Sequence, residues 1–297
     1  MRGERVRIGV IVRTFKASAK CGEPPISALE LGAYRDVLVR CVKRAGQHQK
    51  VRRVDVIVNC DPSSPFSEMI DSGDGTTLSE RILCAKSNRF RVPPYVHTCL
   101  TWGANPGSGA PMNSVITSMQ NDGVTHVLVL SKEMQFSKRV LGGALEMMAR
   151  QSRKLNAVGF YRQGWWQRLP WRVPQNTACL WRIEPLRECN GFAPRCDGDG
   201  TTLTIDNQAV PIAGMEDLYL LLRQMRHRPD SFYWGMFGAS WPLVWDVSAK
   251  NADELQRHNT KLRRQEYVMR QYIKELFPGS SWEEVMEQFF RSRLVAA

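Results

Sequence analysis

Val6-Arg7-Ile8-Gly9-Val10-Ile11-Val12 is an apolar run bounded by charges, short enough to be one buried strand. A second run, Val54-Asp55-Val56-Ile57-Val58-Asn59-Cys60, comes after residues 27–45. There Leu29, Leu31, Ala33, Val37, Leu38, Cys41 and Val42 recur at helical spacing. Asp61-Pro62-Ser63-Ser64 closes the second strand as a turn. Beyond it the pattern predicts a short helix near residues 78–86 and a third strand within 89–100, made ragged or edge-like by Pro93-Pro94. A helix over Met112 to Gln120 follows. His126-Val127-Leu128-Val129-Leu130 is the fourth strand, residues 137–150 a helix, and Asn156 to Tyr161 a fifth strand. This alternation predicts an α/β fold whose central sheet is mostly parallel, with helices on both faces. Ligands of such sheets sit beyond the carboxyl ends of the strands, which makes Thr14, Asp61, Asn105 and Ser131 candidates by position.

The chain has 297 residues, of which 43% are hydrophobic and 24% charged, the composition of a globular protein with ample material for a core. No run approaches the ~18 apolar residues of a membrane span. Met1-Arg2-Gly3-Glu4-Arg5 leads into a strand rather than into the apolar region of a signal peptide, so the expected location is cytoplasmic. Eight cysteines without a C-x-x-C pair argue against a zinc site or a disulfide framework. The net charge of +12 points to an anionic partner. The Lys and Arg residues are spread along the chain and no nucleic-acid-binding signature accompanies them, so nucleic acid is not the expected ligand.

After residue 162 the character changes. Trp165, Trp166 and Trp171 lie among Arg162, Arg168, Arg172 and prolines, a loop-like stretch suited to stacking on a ligand, to peripheral contact with a membrane surface, or to packing under a loop. Thr177 to Arg182 and Thr201 to Ile205 are short strands. An aromatic segment with Phe232, Tyr233, Trp234, Phe237, Trp241 and Trp245 precedes a charged helix over 252–276 and a final amphipathic segment over 281–294.

Gly214-Met215-Glu216-Asp217-Leu218-Tyr219-Leu220-Leu221-Leu222-Arg223 puts two adjacent carboxylates at the mouth of an otherwise apolar helix. The helix macrodipole favours acids in a first turn, which is one reading of the pair. The other is a catalytic base at the rim of a pocket.

Taken in order, these segments resemble the family-2 type of inverting glycosyltransferase with the GT-A (Rossmann-like) fold. Arg13-Thr14-Phe15 is similar to the family's Thr-Tyr step, and Cys60-Asp61-Pro62-Ser63-Ser64 to its Asp-Asp-Gly-Ser-Thr turn. Asn105-Pro106-Gly107-Ser108-Gly109-Ala110-Pro111-Met112-Asn113 follows the spacing Asn-x-Gly-x-x-x-x-Arg-Asn. Asn190-Gly191-Phe192 resembles Gly-Gly-Phe, and Glu216-Asp217 falls where the family carries its catalytic Glu-Asp. The resemblance implies a nucleotide-sugar-binding and catalytic domain over 1–230. A C-terminal aromatic strand and helical extension over 231–297 would pack on that same domain.

It further implies a glycosyltransferase that moves a sugar from a UDP- or GDP-sugar to an acceptor hydroxyl with inversion. Asp217 is then the base, with Glu216 orienting it or the acceptor. Thr14, Phe15, Asp61, Asn105, Asn113, Ser131 and Lys132 are the donor-binding residues. The acceptor would be a glycan, a lipid-linked molecule or a small molecule. Two positions depart from the family. Met112 stands where Arg is usual, and Ser131-Lys132-Glu133 stands where the family has Asp-x-Asp for Mg²⁺ or Mn²⁺. Of these three only Glu133 has a suitable metal ligand, and Lys132 would repel a cation. Lys132, or Lys261 and Arg263 further on, is then the group that neutralises a leaving diphosphate without metal, the alternative being a solvated strand-end lysine. Two other readings stand beside the transferase: a catalytically degenerate donor-binding or regulatory protein of the same fold, and a nucleic-acid-binding protein suggested by charge alone.

Overall fold

The computed structural model describes residues 6–13, 28–58, 97–102, 109–132, 134–151, 155–161, 178–192, 202–205, 208–211, 216–238, 243–245, 269–291 and 294–296. Its centre is an eight-stranded sheet in the order β12-β10-β6-β7-β4-β1-β2-β3. The strands are β1 (Ile8–Arg13), β2 (Val51–Val58), β3 (His97–Trp102), β4 (His126–Ser131), β6 (Ala157–Phe160), β7 (Ala178–Arg182), β10 (Trp234–Phe237) and β12 (Leu294–Ala296). β7 runs antiparallel to both its neighbours, β4 and β6, and every other pair in this sheet is parallel. The expected mostly parallel sheet with helices on both faces is thus observed. Two small antiparallel pairs lie outside it, β5 (Met134–Gln135) with β11 (Val244–Trp245), and β8 (Thr202–Ile205) with β9 (Gln208–Pro211).

β1 and β4 are buried at every position because both faces of the sheet are covered, and so their sequences are nearly unbroken apolar runs. Period-two alternation still sorts their side chains. Val10, Val12, Leu128 and Leu130 join the core beneath helix α1 (Ala28–Ala45) and helix α3 (Lys138–Arg150). Ile11, Val127, Val129, Cys179 and Trp181 join the opposite core. That second core lies under α2 (Gly109–Asn121), α4 (Ile183–Glu188), α5 (Glu216–His227), helical residues 269–276, and α6 (Trp282–Arg291).

Local chemistry sets the helix ends. Ser137 caps α3, its hydroxyl accepting from the Val140 N–H at 3.4 Å. Ser281 and Glu284 form a reciprocal capping box at the start of α6: Glu284 N–H to Ser281 Oγ at 3.1 Å, and Ser281 N–H to Glu284 Oε2 at 2.8 Å. α4 ends in a Schellman turn in which Gly191 N–H reaches Leu186 O (2.7 Å) and Asn190 N–H reaches Arg187 O (2.8 Å). Asn190 takes the left-handed conformation this turn needs, φ 58°.

Several boundaries differ from the sequence expectation. α2 begins at Gly109 instead of Met112, since Pro111 falls in the first turn, where its missing N–H has no intrahelical partner to lose. The third strand lies at His97–Trp102, while Pro93-Pro94 and the expected helix near 78–86 fall outside the described residues. The amphipathic C-terminal segment is a helix only to Arg291. Leu294-Val295-Ala296 then pairs with Trp234-Gly235-Met236 and extends the sheet.

Candidate functional site

The chain leaves β1, crosses through α1 to β2 and then β3, and returns through α2 to place β4 on the other side of β1. The two crossovers pack on opposite faces, so β1 and β4 flank a topological switch point. In doubly wound sheets the crevice at that point is where ligands bind. The register pairs Arg13 with Ser131 at its lip, and the Lys132 N–H donates to Arg13 O at 3.0 Å.

Alternation gives these three residues different sides. Arg13 and Ser131 continue the row of Ile11 and Val129, toward α2 and α5. Lys132 faces α1, where it lines a cleft with Arg40 and Arg44. All three are buried. Among the described residues the Ser131 hydroxyl has no hydrogen-bond partner, an arrangement that costs free energy unless a water or ligand satisfies it.

α5 packs on the face of the sheet that carries Arg13 and Ser131. Leu218, Leu220, Leu221, Leu222 and Met225 are buried in the core, which anchors the helix along its length. Glu216 opens the helix and Asp217 is its second residue. The Asp217 side chain is buried, and its Oδ1 accepts the Leu218 N–H at 2.9 Å. Its charge reaches Cys179 in β7. Burial first, and Asp217 second, push that thiol well above its ordinary range. Cys179 is paired with Val129, and one same-face step along β4 (~7 Å) leads to Ser131. The carboxylate therefore lies on the side of the sheet that carries Arg13 and Ser131.

Asn113 lies in α2 and turns toward the α4 cap. Its Nδ2 donates to Phe192 O at 2.8 Å, and its Oδ1 accepts the Phe192 N–H at 2.8 Å. Gly191 lies beside this contact at φ 70°, where an added Cβ would run into Oδ1. The segment resembling Asn-x-Gly-x-x-x-x-Arg-Asn and the one resembling Gly-Gly-Phe are thus tied together through a side-chain amide.

Thr14, Phe15, Asp61, Asn105 and Glu133 lie outside the described residues, as do Trp165, Trp166, Trp171, Lys261 and Arg263. Among the described residues no three His, Cys, Asp or Glu side chains gather in a metal-holding group, and no described helix is long and apolar enough to cross a membrane. The described groups at the ends of β1 and β4 are a hydroxyl and two cations, and Glu133, the expected metal ligand, lies outside the described residues. Arg13 was not singled out from the sequence by itself. The available signal was a charged residue directly continuing the run Val10-Ile11-Val12 and preceding Thr14.

No family model and no curated protein matches the chain. Among solved structures it is similar to a cytidylyltransferase from Leptospira borgpetersenii serovar Hardjo-bovis, with 10% identity over 86% of this chain and 96% of that one, TM-score 0.43. It is also similar to 4-diphosphocytidyl-2C-methyl-D-erythritol synthase from Anaerococcus prevotii, with 9% identity over 88% and 97% of the two chains, TM-score 0.39. With TM-scores below 0.5, neither likeness carries a functional conclusion, which rests on the chain's own residues.

Proposed function

We propose that this protein is a transferase that moves a sugar from a nucleoside-diphosphate sugar to an acceptor hydroxyl with inversion. The observation that carries this reading is the buried Asp217 carboxylate held over the face of the sheet whose lip carries Arg13 and Ser131. In the reaction the acceptor oxygen attacks the anomeric carbon from the side opposite the diphosphate. Its proton passes to Asp217 as the new C–O bond forms. The old bond's electron pair leaves with the diphosphate, and Arg13 and Lys132, flanking the lip, neutralise the charge that develops. The Ser131 hydroxyl donates to the same group. Glu216 orients the acceptor, and Asn113 fixes the wall formed by residues 190–192. The lysine in place of a carboxylate after β4 supports neutralisation by side chains rather than by a divalent ion.

The test is a panel of UDP- and GDP-sugars, following release of the nucleoside diphosphate with and without acceptors. A transferase slowly hydrolyses its preferred donor, and Asp217→Asn should lose that release while still binding nucleotide. Full activity in Asp217→Asn overturns the assignment of the base. Binding without release by the unaltered protein favours the donor-binding, non-catalytic reading that Lys132 also motivates.

A further inference from the structure

Successive residues of an α-helix turn by ~100°, so Asp217 and Tyr219 stand ~200° apart, on nearly opposite sides of the start of α5. The Asp217 side looks to β7, where its charge reaches Cys179. The Tyr219 side meets helical residues 269–276. Both side chains are buried, so α5 is enclosed from two directions at the turn that carries the carboxylate.

Tyr219 joins three groups at once. Its hydroxyl donates to Glu275 Oε1 at 2.9 Å, across 56 residues of sequence. Its ring meets that of Tyr272 edge-on with centroids 4.6 Å apart, and the Arg223 guanidinium lies 5.6 Å from its centroid. The helix that holds Glu275 is anchored independently. Met269, Tyr272, Ile273 and Leu276 form a buried stripe at helical spacing, and Arg270 lies over the Trp282 ring of α6 at 4.5 Å from its centroid.

Apolar packing by itself defines the rotation of α5 poorly. Leu218, Leu220, Leu221 and Leu222 are all buried and lie on more than one side of the axis. Hydrophobic burial is non-directional, so a small turn of the helix exchanges one leucine contact for another at little cost. A hydrogen bond is directional, and one from a phenol to a carboxylate is of the stronger, charge-assisted kind. We propose that Tyr219 and Glu275 are positioning residues: their hydrogen bond sets the rotation of α5 and thereby keeps the Asp217 carboxylate toward the sheet. The effect of this clamp on turnover rests on the reading of Asp217 as the base, while its effect on the helix does not.

The experiment compares Y219F, E275A and E275Q with the unaltered full chain by two readouts. One is hydrogen exchange of the backbone amides, and the other is turnover of whichever UDP- or GDP-sugar the unaltered protein hydrolyses fastest. E188Q, which breaks the Glu188–Arg228 ion pair at the far end of α5, is the control. Y219F keeps the ring and so should keep its melting temperature. In Y219F and E275A the amides of residues 218–221 should exchange ~10-fold faster while those of β4 do not change. Their kcat should fall by ~10- to 100-fold at unchanged KM, the scale of a displaced catalytic group. E275Q still offers the phenol an oxygen and should keep most of the turnover, and E188Q all of it. Unchanged exchange at 218–221 in Y219F, unchanged kcat there beside an active unaltered protein, or an equal loss in E188Q overturns the clamp. If the unaltered protein turns over no donor, or Asp217→Asn is fully active, faster exchange in Y219F keeps the clamp and removes only the catalytic reading.

Discussion

The carboxamide of Asn113 holds Phe192 by both ends of its peptide backbone, donating to the carbonyl and accepting from the N–H, each at 2.8 Å. A side chain of α2 here does what a neighbouring strand would do. It satisfies two backbone groups of a buried residue that has left α4 and has no ladder to join. The ring of Phe192 is packed edge-on against Trp181 with centroids 5.7 Å apart, so the tie also locates part of the core.

Asn113→Ala should therefore destabilise the fold by about 2 kcal/mol or more, since two hydrogen bonds go and two buried backbone groups lose their partners. Gly191→Ala should cost at least about 1 kcal/mol for its left-handed backbone alone. Its Cβ would also displace Asn113, so the two substitutions should not add. Urea denaturation of both single variants and the double variant measures this.

A second tie joins β2 to α2. Arg53 donates to both oxygens of the fully buried Asp55, at 2.7 and 2.8 Å, and also to Ser118 and Asp122. Burial raises the Asp55 pKa above its ordinary value, and Arg53 works against that rise. Arg53→Ala leaves the carboxyl buried without its cation and should cost about 3 kcal/mol at neutral pH. A carboxyl whose folded-state pKa is raised contributes best below its unfolded value of 3.8, and that contribution is lost as pH rises. The variant raises this pKa further. The gap between it and the unaltered protein should narrow as pH falls toward 4, which melting curves across pH would show.

Cys179 and Cys189 should resist thiol reagents in the native state. Burial pushes the Cys189 thiol to about 11 and Cys179 well above its model-compound range. At pH 8 the Cys189 thiolate fraction is then ~10⁻³. Because its value is raised, the stability the Cys189 thiol contributes is complete below pH 9 and is lost as pH climbs through 11. Mass mapping after alkylation at pH 8, with and without urea, checks the labelling. In Asp217→Asn, Cys179 should stay unlabelled, since burial is the larger cause; labelling there would mean the variant had opened.

Donor turnover should persist in EDTA, with Lys132→Gln lowering kcat by ~10²-fold, the scale of losing one group that stabilises a developing oxyanion. Complete loss of activity in EDTA with recovery on Mn²⁺ would instead place a metal at the leaving group.

Much of the fold was legible because buried parallel strands write themselves as apolar runs. Ile8 to Val12 and His126 to Leu130 could be little else, and the helices between them fixed the crossovers. The direction of β7 was not legible, because Ala178-Cys179-Leu180-Trp181 reads the same in a parallel or an antiparallel neighbour. β12 was hidden because three apolar residues continue the amphipathic pattern of α6 until pairing with Trp234-Gly235-Met236 extends them. At the site, the helix carrying Glu216-Asp217 was readable from its leucines. The contact of Asn113 with Phe192 joins residues 79 apart, which no local pattern encodes.

At the ends of β1 and β4 the two-residue period of the strands parts the side chains: Arg13 and Ser131 face the layer that holds Asp217, and Lys132 faces the layer of α1. Arg13 and Lys132 are nonetheless joined backbone to backbone by one hydrogen bond. A change of side chain at either position therefore acts on its own layer of the molecule, while a change in the backbone there reaches both.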